Sequence, residues 1–316
     1  MTLIRLAALA ALTFTIAAHA AEPPPAAMPA DGGHPLAGHI WHPASGRMLS
    51  PDEVVAHALE TNAVLLGETH DNPDHHALQA WMVRRLSQAG RRPAVVFEMI
   101  DLDQQPVLDA LGGGDTARLG EALNWEKRGW PAWTLYRPIA EAAAAAGGRL
   151  GAANLPAALT RQIAKGQHGP ETAARFGLDQ PPPPDVAAAL AEDIRAGHCG
   201  MLPEPAVPGM VRVQRARDAA MAEAMATIAA SPILGPVVLI AGSGHVRTDY
   251  GVPARLRRLI PDLRPFSLAF VEVEPEQTEP TAYDPLPFDA VWFTEGIARD
   301  DSCERMRRHM EKKDGR

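Results

Sequence analysis

Apolar residues along the chain fall into two alternating patterns. Short unbroken runs have the length and continuity of strands buried on both faces. Asn62-Ala63-Val64-Leu65-Leu66 ends on Gly67, Pro93-Ala94-Val95-Val96-Phe97 ends on Glu98, and Pro236-Val237-Val238-Leu239-Ile240-Ala241 leads into Gly242. Between them lie stretches with helical spacing. From Asp74 to Ala89, Leu78, Trp81, Met82 and Leu86 share one face. Ser50-Pro51-Asp52-Glu53 sets an N-cap, a first-turn proline and first-turn acids ahead of a helix reaching about Glu60. Further helices are expected over Gln104 to Ala122 (interrupted by Gly112, Gly113 and Gly114), Arg137 to Ala146, Ala157 to Lys165 and Pro253 to Leu259. Strands are expected over Arg149 to Ala153, Phe266 to Val273 and Ala290 to Phe293.

This alternation predicts a three-layer α/β/α domain with a mostly parallel central sheet. From about residue 165 to 233 the strand signal disappears. Pro181 to Pro184 break the chain, and helices follow at about Asp185 to Ala196 and Met210 to Ala229, so a helical insertion or cap is expected. The domain spans 37–300, and the charged residues 301–316 form a tail.

The N-terminus changes the picture of where the chain acts. Arg5, the apolar run Leu6 to Ala18 and Ala18-His19-Ala20 have the layout of a cleaved signal peptide over residues 1–20. Residues 21–36, rich in Pro, Ala and Gly, read as a flexible leader. The expected location is therefore the periplasm or the outer membrane, with no cysteine near the junction to carry a lipid. In an oxidising compartment Cys199 and Cys303 can pair or remain two independent thiols. The formal charge of −8 argues against nucleic acid as a partner.

Candidate chemistry sits at the strand ends. Gly67-Glu68-Thr69-His70 and Gly242-Ser243-Gly244-His245 repeat one arrangement, an apolar strand followed by glycine, two residues and histidine. Glu98 closes a third strand. Loops at the carboxyl ends of parallel strands line the ligand crevice, so Glu68, His70, Glu98 and His245 are expected to share a pocket. Such a set suits acid–base catalysis or a divalent metal, with Asp71, Asp74, His75 and His76 close by. A second concentration is aromatic: Trp125, Trp130, Trp133 and Tyr136 lie within twelve positions, together with Lys127, Arg128 and Arg137. They offer stacking surface and cations to a flat acidic ligand, or they simply pack the core.

Six blocks in this order resemble the ChaN-like haem-binding family. They are Gly67 to Pro73, Phe97-Glu98-Met99, Trp125 with Gly129-Trp130-Pro131, Ala152 to Pro156, Gln214 to Asp218, and Gly242 to Arg247. The likeness extends over about residues 60 to 300. It is similar more widely to erythromycin esterases and TraB/Tiki proteins, whose corresponding histidines and glutamates serve hydrolysis, with a metal in the Tiki branch. The resemblance implies a cell-envelope protein that binds haem for iron acquisition. It also implies a homodimer sandwiching the ligand, tyrosine on the iron, and an outer-membrane haem receptor as partner. Among Tyr136, Tyr250 and Tyr283, the resemblance is carried to Tyr136 first and Tyr250 second, with Trp130 and Trp133 against the porphyrin and Lys127 or Arg137 on the propionates. The alternative is a hydrolase working through Glu68, His70, Glu98 and His245.

Overall fold

Continuous apolar runs bury both faces of a strand, so the chain surrounds them with helices on each side. The computed structural model describes residues 22–25, 33–111, 114–230, 235–299, 303–304 and 307. The expected signal peptide, half of the leader and most of the tail lie outside the described residues.

In chain order, β1 (Ile40–His42) and β2 (Arg47–Leu49) form a hairpin, followed by α1 (Pro51–Leu59), β3 (Ala63–Glu68), α2 (Pro73–Gln88) and β4 (Ala94–Asp101). Then come α3 (Gln105–Leu111), α4 (Thr116–Ala122), α5 (Trp133–Ala145) and β5 (Leu150–Asn154). Four helices follow without a strand: α6 (Ala157–Ala164), α7 (Pro170–Arg175), α8 (Pro184–Gly197) and α9 (Val207–Ala229). The chain then returns through β6 (Val237–Gly242), α10 (Val252–Leu259), β7 (Phe266–Glu272) and β8 (Ala290–Thr294).

The sheet has the order β2-β1-β8-β7-β3-β6-β4-β5. From β8 to β5 all neighbours are parallel, and only β1 runs against them, antiparallel to both β8 and β2. Side chains alternate between the two layers, as the strand period of two requires. Val64 and Leu66 of β3 and Val238 and Ile240 of β6 pack with α2 and α5. Ala63, Leu65, Val237 and Leu239 pack with Met221 and Met225 of α9 and Leu256 of α10. Each large side chain buried in this way contributes about 1.5–3 kcal/mol. The predicted cap of α1 is present: Ser50 Oγ accepts from the Glu53 amide, and the Glu53 carboxylate accepts from the Ser50 amide.

The helical region expected over Gln104 to Ala122 is two helices, α3 and α4, on either side of the interrupting glycines, as anticipated. Several elements depart from the sequence reading. Helix α5 begins a turn before Arg137, because Trp133 and Tyr136 are buried in the core, and Pro138 is carried inside it. Glu98 lies within β4 rather than at its end. The leader is anchored where it is described: the Glu22 carboxylate accepts from Arg84, and its carbonyl accepts from Trp81 Nε1. Leu36, at the leader's end, is buried. Cys199 and Cys303 are joined, tying the end of α8 to the segment beyond β8. Among the described residues no helix is long and apolar enough to cross a membrane.

Candidate functional site

The strand order decides which side chains meet. Strand β6 is inserted between β3 and β4, so the carboxyl ends of three adjacent parallel strands supply Glu68, the loop to His245, and Glu98. The two glycines of the repeated motif serve close approach rather than a turn. A Cβ on Gly67 would collide with Val246 Cγ2, and one on Gly242 would stand 3.0 Å from His70 Nε2. Gly242 has φ −59, open to any residue.

Glu68, His70, Glu98 and His245 come together as one chain of contacts. Tyr136 Oη donates to Glu68 Oε1 at 3.0 Å, and His70 Nδ1 lies 2.9 Å from the same oxygen. His70 Nε2 is 3.9 Å from Glu98 Oε2, which accepts from the Gly242 amide at 2.8 Å. Glu98 Oε1 is 3.2 Å from His245 Nε2, and His245 Nδ1 is 2.6 Å from Asp218 Oδ1. Below Glu68, His76 Nδ1 stands 3.2 Å from Oε2, while its Nε2 lies 2.9 Å from the His70 carbonyl. His70 alone is appreciably open, with 34% of its side chain exposed.

Burial opposes charge on each of these groups; pairing overcomes it at Glu68, Glu98 and the three histidines, whereas at Asp218 burial prevails and raises the carboxyl. Burial raises the Glu68 carboxyl, but His76 and His70 more than offset it and bring it down to about 2. Glu98 is likewise held well below the carboxylate range by His245 and His70 despite its burial. Burial lowers His245, yet Glu98 and Asp218 on either side raise it to about 10. His70 and His76 are raised by their glutamates against the same opposing burial. The result is an alternation of carboxylates and imidazolium ions in which each charge has a partner. It can hold and pass protons at the sheet edge, with His70 as its outlet.

Divalent-metal binding does not fit this arrangement. The ring nitrogens of His76 and His245 are already engaged by Glu68, the His70 carbonyl, Glu98 and Asp218, and among the described residues no group of three His, Cys, Asp or Glu side chains is placed to hold a metal ion. His75, read with the same motif, turns elsewhere: its Nδ1 accepts from the Thr69 amide and its Nε2 lies 2.8 Å from Thr294 Oγ1.

The residues expected to bind a cofactor are dispersed. Tyr136 is wholly buried, and burial together with Glu68 pushes its phenol far above its ordinary pKa. A neutral hydroxyl donating inward to Glu68 does not turn its oxygen toward open space in this arrangement. Trp133 is a core residue packed edge-on against Trp125, with Nε1 donating to the Thr116 carbonyl, and has no face for a porphyrin. Arg137 is exposed and pairs with Glu141 along α5. Lys127 and Trp130 line an open cleft of about 470 Å³ beside His70, with Arg161 and Arg217.

Tyr250 lies on the other side of α9, in a separate cavity of about 380 Å³. Its apolar wall is Pro181 to Pro183, Val186 and Leu190, and its charged wall is Arg215, Arg255 and Arg258. Tyr250 Oη donates to Asp193, and the Arg247 guanidinium lies over its ring. Arg215 donates to the Gln180 carbonyl and holds the loop before the prolines. Arg255 and Arg258 form no hydrogen bond or ion pair among the described residues.

One turn of α9 distributes these roles. Gln214 and Asp218, four apart, both face His245, whereas Arg215 and Arg217, about 200° apart around the helix, serve the two cavities. Sequence reasoning placed Gln214 to Asp218 in a motif without assigning roles. The four-residue spacing of two polar groups able to hold a histidine was the available signal. His76, which holds Glu68 from α2, was noted only as a nearby ligand.

The model of a family described as haem-binding uptake, Tiki superfamily, ChaN matches residues 54–256, more than half of the chain. Among solved structures, the fold is similar to that reported as cofacial haem binding to ChaN of Campylobacter jejuni. That chain is 20% identical, with 80% of this chain and 95% of that one covered at a TM-score of 0.62. A type III effector, HopBA1, aligns at 15% identity over 78% of this chain and 93% of that one, with a TM-score of 0.43. An erythromycin esterase mutant, EreC in its open conformation, aligns at 15% identity over 80% and 81%, with a TM-score of 0.39. The likeness to the ChaN structure is one of fold, and the other two superpose too loosely to add to it. No curated protein matches the chain.

Proposed function

The chain belongs to the ChaN family of haem-binding uptake proteins in the Tiki superfamily, and on that premise we propose that it carries haem in the Tyr250 cavity after export to the cell envelope. The observation that carries the placement is the pairing of a tyrosine with two unpartnered arginines on an apolar wall. Tyr250 differs from Tyr136 in lining open space and not in acidity, since burial and Asp193 raise its phenol as burial and Glu68 raise that of Tyr136. Its hydroxyl already donates to Asp193, a base able to hold the proton when the phenolate, a hard donor for ferric iron, is formed. Arg255 and Arg258 supply the charges for the two propionates, and the Pro181 to Leu190 wall supplies the contact surface. Haem, when bound, supplies the iron; the chain's part is to bind, orient and shield it. The cavity opens to the surface, so two copies can bring their ligands face to face, and a dimer formed on haem binding is part of the proposal, as is delivery by an outer-membrane receptor.

Titration with haemin tests this. Wild type is expected to saturate near one haem per chain, and Arg255→Gln with Arg258→Gln to weaken binding on the order of tenfold by loss of charge-assisted contacts. Haemin dimethyl ester, lacking free propionates, should bind the two forms alike. No binding above that of an unrelated acidic protein would end the haem reading.

A second reading rests on the His70–Glu98–His245–Asp218 chain, whose pairing suits an acid–base hydrolase at the sheet edge. Ester turnover lost in Glu98→Gln, with haem binding retained, would favour it.

A further inference from the structure

The cleft beside His70 carries more positive charge than its carboxylates offset: of Lys127, Arg128, Arg161 and Arg217, only Arg128 has a close carboxylate partner. Lys127 and Arg161 form no ion pair or hydrogen bond through their side chains among the described residues. Arg217 approaches Glu98 Oε1 only at 3.9 Å, and its Nε is buried without an acceptor. Arg128 does pair, with Asp101 at 2.7 Å, yet its Nε is also buried without an acceptor. The first turn of α6 borders the same space, and no side chain caps its free amides. All this occurs in a chain of formal charge −8, so the local field opposes the overall one.

One wall of the cleft is flat. Trp130 is half-buried there, with the His70 ring against it at 5.0 Å. Unsatisfied N–H donors, unpaired cations and an aromatic wall fit one kind of occupant.

We propose that this cleft is a second binding site, separate from the Tyr250 cavity, for a small organic oxyanion with a flat apolar body. The oxyanion accepts from Arg217, Arg161 and Lys127, and the ring lies on Trp130. Carboxylates and phosphate monoesters share this chemistry. The site needs no hydrolysis; should the strand-end cluster turn over a substrate, the cleft names its class as anionic, because the reacting bond would sit between these cations and His70.

Calorimetric titration of the full-length mature protein with phenyl phosphate, benzoate and neutral benzyl alcohol tests the site, with Trp130 fluorescence as a second readout. Both anions, or one of them, should bind and quench fluorescence while benzyl alcohol does neither. The preferred anion tells phosphate from carboxylate. Binding should weaken with added salt. Arg161→Gln combined with Lys127→Gln, both at surface positions, should cost on the order of tenfold in affinity. Trp130→Ala should remove the preference for phenyl phosphate over inorganic phosphate. Haemin binding should be unaffected by these changes, so the inference stands or falls apart from the haem reading. Equal binding of benzyl alcohol, unchanged affinity in the double variant, or displacement of phenyl phosphate by one equivalent of haemin would overturn it.

Discussion

The strand-end cluster and the Tyr250 cavity lie on either side of α9 and handle charge in opposite ways. In the cluster, Glu68 and Glu98 each meet histidines, and His245 is held between two carboxylates. In the cavity, Arg255 and Arg258 make no hydrogen bond or ion pair among the described residues, and burial, reinforced by Arg258 and opposed by the attraction of Asp218, lowers the Arg255 pKa. The first is a closed circuit whose members hold one another. The second has capacity left for a ligand. Burial alone does not distinguish a structural polar group from a functional one; the state of its partners does.

The largest effect should come from opening the closed circuit. Glu68→Ala removes the buried acceptor shared by Tyr136, His70 and His76, leaving their polar atoms unpaired, and should destabilise by about 3–5 kcal/mol. Arg258→Ala, at an exposed position, should change stability by no more than about 0.5 kcal/mol. Urea unfolding of both variants measures the contrast, and equal losses would erase the distinction between the two regions.

Reduction of the Cys199–Cys303 bond comes next, at about 2–4 kcal/mol for a long closed loop. Because α8 carries Val186, Leu190 and Asp193, its release should also weaken haemin binding while leaving the cluster intact. Unfolding and haemin titration with and without reductant measure both. Two titratable thiols in the oxidised native protein would contradict the bond.

The third effect is a pH dependence particular to the cluster. The His245 pKa is raised from 6.5 to about 10, so its contribution is complete below pH 6.5 and is lost as pH rises through about 10. Glu68 is lowered from 4.5 to about 2, so its contribution is complete above pH 4.5 and is lost as pH falls through about 2. His75 works the other way in part: burial lowers it to about 4, so its contribution is lost as pH falls from 6.5 through about 4. Thermal unfolding against pH should therefore show wild type losing its excess stability over His245→Gln chiefly on the alkaline side, between pH 6.5 and 10. A wild-type minus variant difference that does not shrink between pH 6.5 and 10 would contradict the pairing.

The smallest effect is expected at Arg137. Its exposed pair with Glu141 is worth at most about 0.5 kcal/mol, so Arg137→Ala should alter neither stability nor haemin affinity. A large loss of haem binding would return this residue to the ligand site.

How far the molecule was legible in its sequence depended on range. The buried strands at Val64, Val95 and Val238 and the cap at Ser50 were readable because period and propensity act locally. The convergence of Glu68, His70, Glu98 and His245 was legible once a parallel sheet was inferred, since such sheets gather strand ends. The burial of Tyr136 was not legible, because an aromatic segment has the same composition whether it lines a site or fills a core. Only the meeting of α5 with Glu68 distinguishes the two. The cationic pair Arg255 and Arg258 looked like an ordinary solvated helix face, and the cavity wall opposite them arrives from Pro181 to Leu190, some seventy residues earlier. The hairpin β1–β2 was too short to carry a pattern.

The account's central claim is that haem is held at Tyr250 and not at Tyr136. Absorption titration of Tyr250→Phe and Tyr136→Phe with haemin tests it directly, since each change removes one oxygen and keeps the ring. The account predicts a ferric-tyrosinate spectrum in wild type and in Tyr136→Phe, and its loss with weakened binding in Tyr250→Phe. An unchanged spectrum in Tyr250→Phe would contradict it.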